Sequence, residues 1–455
     1  MVNQSIFKTY DVRGIYPEPL NEKAVEAVGR AFVAQSQADK VVVGRDVRAS
    51  SPLLFEALCK GITEAGADVA DIGLVTTPVL SFAVVTGNYQ AGVMISASHN
   101  PPEYNGLKLI GPRGVQLSKE TGIDEVARLV ERGELTSAPK VGRVSKYDVR
   151  ERYYHHILSF SKNIKSGLKV VIDAGNGMGG DFNKPVLDQL PIKYQPLYFK
   201  PDGNFPNHPA NPAEDKNLVD VMEAVKNSGA DLGIAFDGDA DRAIFIDDKG
   251  NKLNPGHYLL LVGKSEIEKS QDKRIYYDLR FPHIVKDELL ALGAKPVLTR
   301  VGNPFYKQQL IEDGGTMAVE LSGHVMFADG YGLDDGLLAV VKLLNILSNA
   351  DRKLSDMVAE FEAKSYYPGE INIPCHRPTE IIEKVKERYQ SPDVKIDTMD
   401  GLTVDGGDWW FNIRASNTEP ILRLTLETKP DIVFGQTKEK ELIDLINTLD
   451  KSLET

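Results

Sequence analysis

Short apolar runs alternate with amphipathic segments along most of this chain of 455 residues. Val41 to Val43 form the first clear run, and in the preceding segment, Asn21 to Val33, apolar residues recur at the spacing of one helix face. The alternation restarts near residue 168 and again near residue 274. Helices inserted between buried apolar strands are typical of parallel or mixed sheets with helices on both faces. The pattern therefore predicts an α/β fold.

The length of the chain predicts more than one domain, because 455 residues exceed what a single hydrophobic core normally supports. The three repeats of the alternating pattern each have an ordinary domain length. The last segment instead combines short strands with two helices and indicates a small α+β domain. We expect three similar mixed-sheet α/β domains over 1–148, 149–250 and 251–366, and a smaller C-terminal α+β domain over 367–455, all around one central cleft.

Composition narrows the class of partner. The net charge of −12 disfavours nonspecific binding to nucleic acid. Cys59 and Cys375 are the two cysteines of the sequence, so neither a disulfide framework nor a cysteine-rich zinc site is indicated. The N-terminus, Met1 to Tyr10, has no apolar signal core, and the longest apolar stretch, Gly336 to Leu347, is interrupted by Lys342 and too short to cross a bilayer. We expect a cytoplasmic protein.

The segment 94–108 predicts a tight loop that presents a hydroxyl group. An apolar strand, Ala91 to Ile95, leads into Ser98-His99-Asn100-Pro101, and Lys108 follows a turn at Asn105-Gly106. Proline and glycine fix such a loop, so that the hydroxyl of Ser98 can be both exposed and oriented. After the turn, we expect the chain to bring Lys108 back beside the same loop.

A second loop carries three carboxylates at alternate positions, in Asp237-Gly238-Asp239-Ala240-Asp241-Arg242. It lies between two apolar strands, Leu232 to Phe236 and Ala243 to Ile246, and suits a hard divalent cation with oxygen ligands. An EF-hand does not fit, because its sixth position should be glycine and its flanks should be helices. A solvated acidic turn is the alternative.

Two further segments are rich in groups that bind phosphate or sugar. Arg414 to Pro420, with Arg423, offers guanidinium, hydroxyl, amide and backbone donors that suit a phosphate dianion; the alternative is a polar hairpin turn. In the second segment, Glu320 and Ser322 point to the same side of an extended strand and can hold adjacent sugar hydroxyls. His324 titrates near neutrality and can move protons, or it is a structural histidine.

Together these segments resemble the α-D-phosphohexomutase family over essentially the whole chain and in the family's order. The opening, Phe7 to Gly14, is similar to F-K-x-Y-D-I-R-G, and Ser96 to Pro101 is similar to the T-A-S-H-N-P loop, with Ser for the first Thr. D-G-D-A-D-R and R-A-S-N-T-E-P match the family's metal and phosphate loops. Glu320 to His324 resembles the phosphomannomutase/phosphoglucomutase group, whereas the phosphoglucosamine mutases usually have Gln where Leu321 stands.

The resemblance implies an enzyme that interconverts hexose 6-phosphate and hexose 1-phosphate, with mannose, glucose or both as the sugar. Ser98 would carry the phosphoryl group as a phosphoserine, and a hexose 1,6-bisphosphate would be the intermediate and activator. One Mg²⁺ per active site would be held by the phosphoserine, Asp237, Asp239 and Asp241. The partner would be a small phosphosugar, with no nucleic acid and no membrane, and the chain would be a monomer or a weak homo-oligomer.

Assistance at the reacting end is implied for Arg13, Lys108 and His324, the last two as general acid/base candidates. The residues that the resemblance implies in substrate binding are Tyr10, Arg242, Arg280, Glu320, Ser322, Arg414, Ser416, Asn417, Thr418 and Arg423. One departure is Asn303, where the family commonly has a histidine. A neutral amide removes any proton-transfer role at that position.

Other functions compete with this interpretation. A phosphoglucosamine mutase is the alternative within the family, and a phosphatase that uses Ser98 would release free hexose. A non-catalytic sugar-phosphate-binding protein is disfavoured, because Ser98, Lys108 and the three aspartates are intact. A P-loop kinase is disfavoured, because the sequence contains no G-x-x-x-x-G-K-[ST] motif.

Overall fold

Four β-sheets organise the chain in a computed structural model that describes residues 2–133, 138–398, 400–416 and 420–454. Three of them are mixed sheets with flanking helices, and the fourth, near the C-terminus, is antiparallel throughout. The predicted fold class, three α/β domains followed by a smaller C-terminal domain, is confirmed.

The first domain has a six-stranded mixed sheet. Its elements are β1 (Val12–Ile15), α1 (Glu22–Ser36), β2 (Lys40–Arg45), α2 (Ser51–Glu64), β3 (Asp68–Leu74), α3 (Thr77–Thr86), β4 (Ala91–Ile95), β5 (Tyr104–Ile110), α4 (Asp124–Arg132) and β6 (Val144–Lys146). The strand order is β1-β5-β4-β2-β3-β6. Successive residues of β2 point to opposite faces, so Val41 packs in one apolar cluster with α1 and α2, and Val42 packs in another with α3. Strand β4 is parallel to β2 and antiparallel to β5, so the chain reverses in the loop 96–103.

The second domain has a four-stranded sheet of order β10-β9-β7-β8. Its elements are α5 (Arg150–Ser159), β7 (Lys169–Asp173), α6 (Lys184–Leu187), β8 (Lys193–Leu197), α7 (Val219–Ser228), β9 (Leu232–Phe236) and β10 (Ala243–Ile246). Strands β7, β8 and β9 are parallel, and β10 returns antiparallel to β9. Every residue of β9 and β10 is buried, so the loop 237–242 between them rises from a rigid hairpin.

The third domain repeats this plan with the order β12-β11-β13-β14. Its elements are α8 (Pro255–Lys269), β11 (Arg274–Asp278), α9 (His283–Ala291), β12 (Lys295–Thr299), α10 (Asn303–Glu312), β13 (Met317–Val319), β14 (Val325–Phe327), α11 (Gly336–Asn349) and α12 (Leu354–Glu362). Strands β13 and β14 are antiparallel and flank the loop 320–324. Helix α11 belongs to the same buried cluster as the sheets of the first, second and third domains, and these three domains therefore share a continuous core.

The C-terminal domain has the antiparallel order β15-β19-β18-β17-β16. Its elements are β15 (Glu370–Pro374), α13 (Pro378–Tyr389), β16 (Lys395–Asp397), β17 (Leu402–Asp405), β18 (Trp409–Ala415), β19 (Ile421–Thr428) and α14 (Ile432–Glu454). Its apolar cluster, which includes Ile373, Phe411 and Leu424, has no member in common with those of the other domains among the described residues.

The last helix begins earlier than the sequence predicts. Apolar periodicity predicts a helix from Thr437 to Leu449, whereas α14 begins at Ile432. Its first residues are exposed and apolar, and the side chain of Asp431 accepts a hydrogen bond from the Phe434 N–H. An exposed first turn carries no periodic signal, so the pattern misses it.

The domain boundaries at 148, 250 and 366 stay predictions. Among the described residues, no helix is long and apolar enough to cross a membrane.

Candidate active site

The equivalent antiparallel strand pair in each α/β domain carries one of the functional loops. Ser98 lies in the loop between β4 and β5, the three aspartates lie between β9 and β10, and residues 320–324 lie between β13 and β14. The loops of the second and third domains are joined by an antiparallel bridge between Arg242 and His324. The fold therefore brings together motifs that are far apart in the sequence.

Ser98 is held in an unusual conformation with its hydroxyl directed at a carboxylate. Its φ is +51°, in the left-handed region that non-glycine residues seldom occupy. The Ser98 N–H donates to Ser96 Oγ at 2.9 Å, and the Ser98 hydroxyl donates to Asp237 Oδ2 at 2.8 Å. His99 Nδ1 lies 3.1 Å from Ser98 Oγ. The side chain is buried and oriented toward the aspartate loop.

Asp237, Asp239 and Asp241 form a buried cluster in which each offers a carboxylate oxygen within 4.8 Å of the others. Their exposed fractions are 0%, 0% and 2%, which excludes the solvated acidic turn. Asp239 Oδ1 is buried and has no hydrogen-bond partner among the residues that the structure describes. Burial, together with the neighbouring Asp241 carboxylate, raises the pKa of Asp237 to about 7. Clustered carboxylate oxygens with an unused acceptor fit a hard divalent cation.

Lys108 extends from β5 into the aspartate cluster. Its Nζ donates to Asp239 Oδ2 and to Asp241 Oδ2, both at 2.6 Å. Burial disfavours the ammonium form, but the carboxylates of Asp239 and Asp241 outweigh burial and raise the pKa of Lys108. Lys108 therefore holds its proton and partly balances the charge of the cluster.

Arg242 connects the loop 237–242, called the aspartate loop, to the loop 96–103, called the serine loop. Its Nε and Nη2 donate to Asp237 Oδ2 at 3.0 and 2.9 Å, and Nη2 also donates to His99 Nδ1 at 2.5 Å. Burial and the Arg242 charge lower the pKa of His99, so His99 is neutral and its Nδ1 accepts. Arg242 Nη2 lies 3.4 Å from Ser98 Oγ, which places a fixed positive charge beside the hydroxyl.

The loop between β13 and β14 presents a charged histidine flanked by polar side chains. His324 Nδ1 donates to Glu320 Oε2 at 2.9 Å and lies 2.8 Å from Ser322 Oγ, while Nε2 lies 3.4 Å from Asp241 Oδ1. Burial would lower the pKa of His324, but Asp241 and Glu320 raise it to about 9. Burial would likewise raise the pKa of Glu320, but His324 lowers it to about 2. His324 is therefore an imidazolium that bridges the two loops.

Arg280 and Arg13 are fixed by aspartates two residues away in the sequence. Arg280 Nε and Nη2 donate to Asp278 at 3.0 and 2.6 Å, and Nη2 lies 3.4 Å from Glu320 Oε1. Arg13 donates to Asp11 and to the side chain of Asn100 in the serine loop, and in the described part of the chain its buried Nε has no partner. Both guanidinium groups therefore border the site and are already oriented.

Two contacts near the start of α10 hold Tyr10 and Asn303, and the first of them joins the first and third domains. The hydroxyl of Tyr10 donates to the carbonyl of Val301 at 3.2 Å, just before α10. Asn303, the first residue of α10, donates through Nδ2 to Asp334, which is also paired with the buried Lys307. The position that departs from the family pattern is therefore occupied by an amide that holds a carboxylate.

The phosphate-loop residues form a separate cluster in the C-terminal domain. Arg414 and Arg423 face each other across β18 and β19. Arg414 Nη2 and Arg423 Nη1 donate to the two oxygens of Glu370 at 2.8 and 3.2 Å. Among the described residues, no hydrogen bond or ion pair joins Arg414 or Arg423 to Ser98 or the aspartates. Ser416 follows β18, whereas Asn417 and Thr418 lie outside the described residues.

Comparison with known proteins shows which family the four domains belong to. Family models described as phosphoglucomutase/phosphomannomutase α/β/α domains I, II and III match residues 4–137, 151–250 and 254–364, and the model of the C-terminal domain matches residues 370–442. The chain belongs to the phosphoglucomutase/phosphomannomutase family. The predicted family is thus confirmed, as is the prediction of an isomerase of the phosphohexomutase type.

Individual members of the phosphoglucomutase/phosphomannomutase family are similar over nearly their full length. The chain is 34% identical to a phosphomannomutase of Escherichia coli K12, with 98% of this chain and 100% of that protein aligned. It is 36% identical to a phosphoglucomutase of Neisseria gonorrhoeae, with 97% of each covered. A crystal structure of a family protein from Burkholderia thailandensis superposes with a TM-score of 0.87 at 32% identity and 96% coverage of both chains.

Sequence reasoning missed two residues, one in the candidate site and one in the separate arginine cluster of the C-terminal domain. Thr77 donates from its backbone N–H to the carbonyl of Asp239 at 3.0 Å, and its hydroxyl donates to Asp239 Oδ2. Glu370 orients both arginines of the C-terminal domain. Thr77 resembles any hydroxyl residue at a helix start, so the sequence gives no signal. Glu370 becomes visible only once β15 is placed beside β19.

Proposed function

We propose that the chain interconverts hexose 6-phosphate and hexose 1-phosphate, with mannose or glucose phosphate as substrate, through a phosphoserine at position 98 and a hexose 1,6-bisphosphate. The observation that carries this proposal is the hydrogen bond from the Ser98 hydroxyl to Asp237 within a buried triple-carboxylate cluster. The alternative of a non-catalytic binding protein does not require a reactive hydroxyl beside such a cluster.

The aspartate cluster would hold Mg²⁺ through Asp237, Asp239 and Asp241. When bound, the ion would add positive charge next to the transferring phosphoryl group. Its fit rests on the burial of the three side chains and on the unpartnered oxygen of Asp239. The fixed guanidinium of Arg242 lies beside the same position, and phosphoryl transfer depends mainly on such positioning and charge neutralisation.

Phosphoryl transfer would break the bond between Ser98 Oγ and phosphorus and form a bond from phosphorus to a sugar hydroxyl. Either Lys108 or His324, once it has lost its own proton, would accept the proton of the sugar hydroxyl, and the other would donate a proton to Ser98 Oγ. Lys108 and His324 both hold a proton, because neighbouring carboxylates stabilise their charged forms, so each is a general acid candidate. In the reverse transfer the same group, once deprotonated, acts as the base.

Glu320 and Ser322 would bind sugar hydroxyls, and Arg280 would support them. Arg414, Ser416 and Arg423, with Asn417 and Thr418 of the same loop, would hold the phosphate that is not reacting. The bisphosphate must turn end for end, so these residues, called the phosphate cup below, would accept the phosphate at either end of the sugar. A C-terminal domain with its own core can move as a unit while the bisphosphate stays enclosed.

A substitution of Ser98 tests the proposal. Ser98→Ala should abolish mutase activity. After treatment with glucose 1,6-bisphosphate, the intact mass of this variant should lack the added phosphoryl group that the wild type shows. Ser355→Ala, another buried serine, is the matched control and should retain both. Mutase activity that persists in Ser98→Ala would exclude the phosphoserine mechanism. A wild type that only releases free hexose would indicate a phosphatase.

A substrate panel tests the sugar. Mannose, glucose and glucosamine phosphates are compared by kcat/KM, and a preference for the amino sugar would favour the phosphoglucosamine mutase alternative.

We also propose a cytoplasmic location, which the two buried free thiols of Cys59 and Cys375 support. The domain boundaries predicted from the sequence are part of the same proposal.

A further inference from the structure

Arg48, between β2 and α2, is fully buried and uses every one of its N–H donors. Its side chain is 0% exposed. Four of its five hydrogen bonds end on backbone carbonyls, three of them in the serine loop and one at Tyr104, the first residue of β5. The acceptors are Asp46 Oδ2 at 3.2 Å, the carbonyls of Pro101 and Tyr104 at 2.6 and 2.9 Å, and the carbonyls of Ser98 and Asn100 at 2.9 and 2.6 Å.

This arrangement requires a guanidinium group. A planar fork with five donors can reach four carbonyls that lie in different directions, whereas a lysine ammonium has three donors at a single point. A buried charge is costly unless it is paired and fully hydrogen-bonded. Asp46 supplies the counter-charge and is itself held by the backbone N–H of Arg48 and the hydroxyl of Ser51.

The carbonyl of Ser98 is one of the acceptors, and Ser98 is the residue with φ of +51°. Such a conformation persists only where the surroundings determine it strongly. Arg48 fixes the carbonyl side of Ser98, while Ser96 Oγ fixes its N–H. The direction of Ser98 Oγ therefore follows from contacts on both sides of its backbone.

The second domain closes over Arg48 and the same carbonyl. The Phe205 ring centroid lies 5.1 Å from the Arg48 guanidinium carbon. Gly203 packs so closely that a Cβ there would lie 2.9 Å from Arg48 Cα, and a Cβ on Gly238 would lie 2.4 Å from the Ser98 carbonyl oxygen. Glycine at 238 lets the aspartate loop reach the Ser98 carbonyl, and glycine at 203 lets the segment before Phe205 reach the backbone of Arg48.

We propose that Arg48 is a positioning residue that sets the orientation of the Ser98 hydroxyl toward the aspartate cluster. This inference rests on the proposed function of Ser98. Among the described residues, no hydrogen bond or ion pair joins Arg48 to residues 320–324, Arg414 or Arg423, so it acts on catalysis through the serine loop and Tyr104.

The test compares Arg48→Ala and Arg48→Lys with Lys342→Ala. Lys342 is also a buried cation, paired with Glu266 at 2.8 Å and Asp329 at 2.6 Å, and is not bonded to the serine loop. We expect kcat to fall about 100-fold or more in both Arg48 variants, because a small misplacement of a reacting group costs about that much. KM should stay within about threefold, because sugar and phosphate contacts come from other loops, and Lys342→Ala should lose stability without this loss of kcat.

Hydrogen exchange of peptides that cover residues 96–106 provides a second readout that does not need activity. We expect faster exchange in the Arg48 variants and none of this change in Lys342→Ala. Unchanged exchange, a rise in KM with unaltered kcat, or full activity in Arg48→Lys would overturn the inference. An inactive wild type or an active Ser98→Ala would refute the proposed function instead, while the exchange data would still show whether Arg48 holds the loop. If Arg48→Ala does not fold, Arg48→Lys carries the test.

Discussion

At the scale of single residues, the site is a balance of buried charges. Three aspartates face the cations of Lys108, Arg242 and His324. Each ion pair exists because burial without a partner would be too costly. A phosphoserine would bring about two negative charges, and a divalent cation would bring two positive ones. The charges of the phosphoserine and of the bound cation would therefore cancel, and the existing balance of buried charge would be kept.

Removal of the metal should abolish activity and lower thermal stability. A cation that binds only the folded chain stabilises it by about 2.7 kcal/mol at one hundred times its Kd. Mg²⁺ added to chelator-treated protein should therefore raise Tm and restore turnover, as followed by calorimetry and a mutase assay. Asp239→Asn should abolish both responses, whereas Asp356→Asn, on the exposed surface of α12, should preserve them. Full turnover in excess chelator would contradict the metal assignment.

His257 should make the stability depend on pH. Burial lowers its pKa to about 4. The ring stacks on Phe361, and Nδ1 has no hydrogen-bond partner within the described ranges of the chain. The unfolded chain takes up a proton near pH 6.5, whereas the folded chain does so only near pH 4. The stabilisation from a neutral His257 is therefore complete above pH 6.5 and lost as pH falls toward 4, by up to about 3 kcal/mol.

Urea denaturation of His257→Phe between pH 4 and 7.5 checks this expectation. The variant should show a flatter pH profile than the wild type, because phenylalanine keeps the stacking and cannot titrate. His155→Phe, at an exposed position, should leave the profile unchanged. Parallel profiles for wild type and His257→Phe would show that His257 ionises alike in both states.

At the scale of elements, the sequence predicts the strands and loops whose positions depend only on residues nearby in the chain. The buried strands β4 and β9 are predicted because continuous apolar runs end at polar loops, and these loops contain Ser98 and the aspartates. The pairing of Lys108 with two carboxylates more than 130 residues away could not be predicted, because it depends on how two sheets pack. Thr77 and Glu370 were missed for the same reason.

Strand register and Glu370 together position the two arginines of the proposed phosphate cup. Arg414 and Arg423 are directly opposed on β18 and β19, where like charges destabilise a strand pair. The carboxylate of Glu370 on β15 relieves that repulsion by binding both guanidinium groups. Burial would raise the pKa of Glu370, but Arg414 and Arg423 keep it lowered.

Glu370→Gln should weaken substrate binding more than chemistry. Without the carboxylate the two arginines repel each other and lose their fixed orientation, so we expect KM for the hexose phosphate to rise about tenfold, equivalent to about 1.4 kcal/mol, with a smaller change in kcat. Steady-state kinetics provide the measurement. Glu383→Gln, an exposed residue of α13, is the matched control. A lower KM in Glu370→Gln would show instead that Glu370 competes with the phosphate.

At the scale of the whole molecule, three domains form one platform and the fourth is attached to it. The first three share a continuous apolar cluster, whereas the C-terminal domain has its own. A cavity of about 610 Å³ lies between the third domain and the C-terminal domain. The two are connected beside it by Glu427 of β19, which accepts from the Ile284 N–H at 3.2 Å and from Trp410 Nε1 at 2.6 Å. A carboxylate at the start of α9 also matches the helix dipole.

Glu427→Ala should therefore loosen the C-terminal domain. The substitution leaves the N–H groups of His283 and Ile284 and the indole of Trp410 without their acceptor, at a cost of about 1–3 kcal/mol for each donor that stays buried. The His283 and Trp410 rings, stacked at 4.5 Å, should separate. Because both tryptophans of the sequence lie in β18, fluorescence in a Trp409→Phe background reports on Trp410 alone. We expect a red shift, stronger acrylamide quenching and a larger radius of gyration in solution scattering.

The same variant connects domain attachment to turnover. The proposed phosphate cup lies in the C-terminal domain and the proposed nucleophile, Ser98, lies in the first. A loosened domain loses more conformational entropy when it closes on the substrate, so KM should rise several-fold. Saturating glucose 1,6-bisphosphate should reverse the spectral shift, because a ligand held at both ends favours the closed arrangement. Glu439→Ala, in α14 of the same domain and bonded to Tyr366, is the control. Unaltered Trp410 emission and scattering in Glu427→Ala would show that other contacts hold the domain in place.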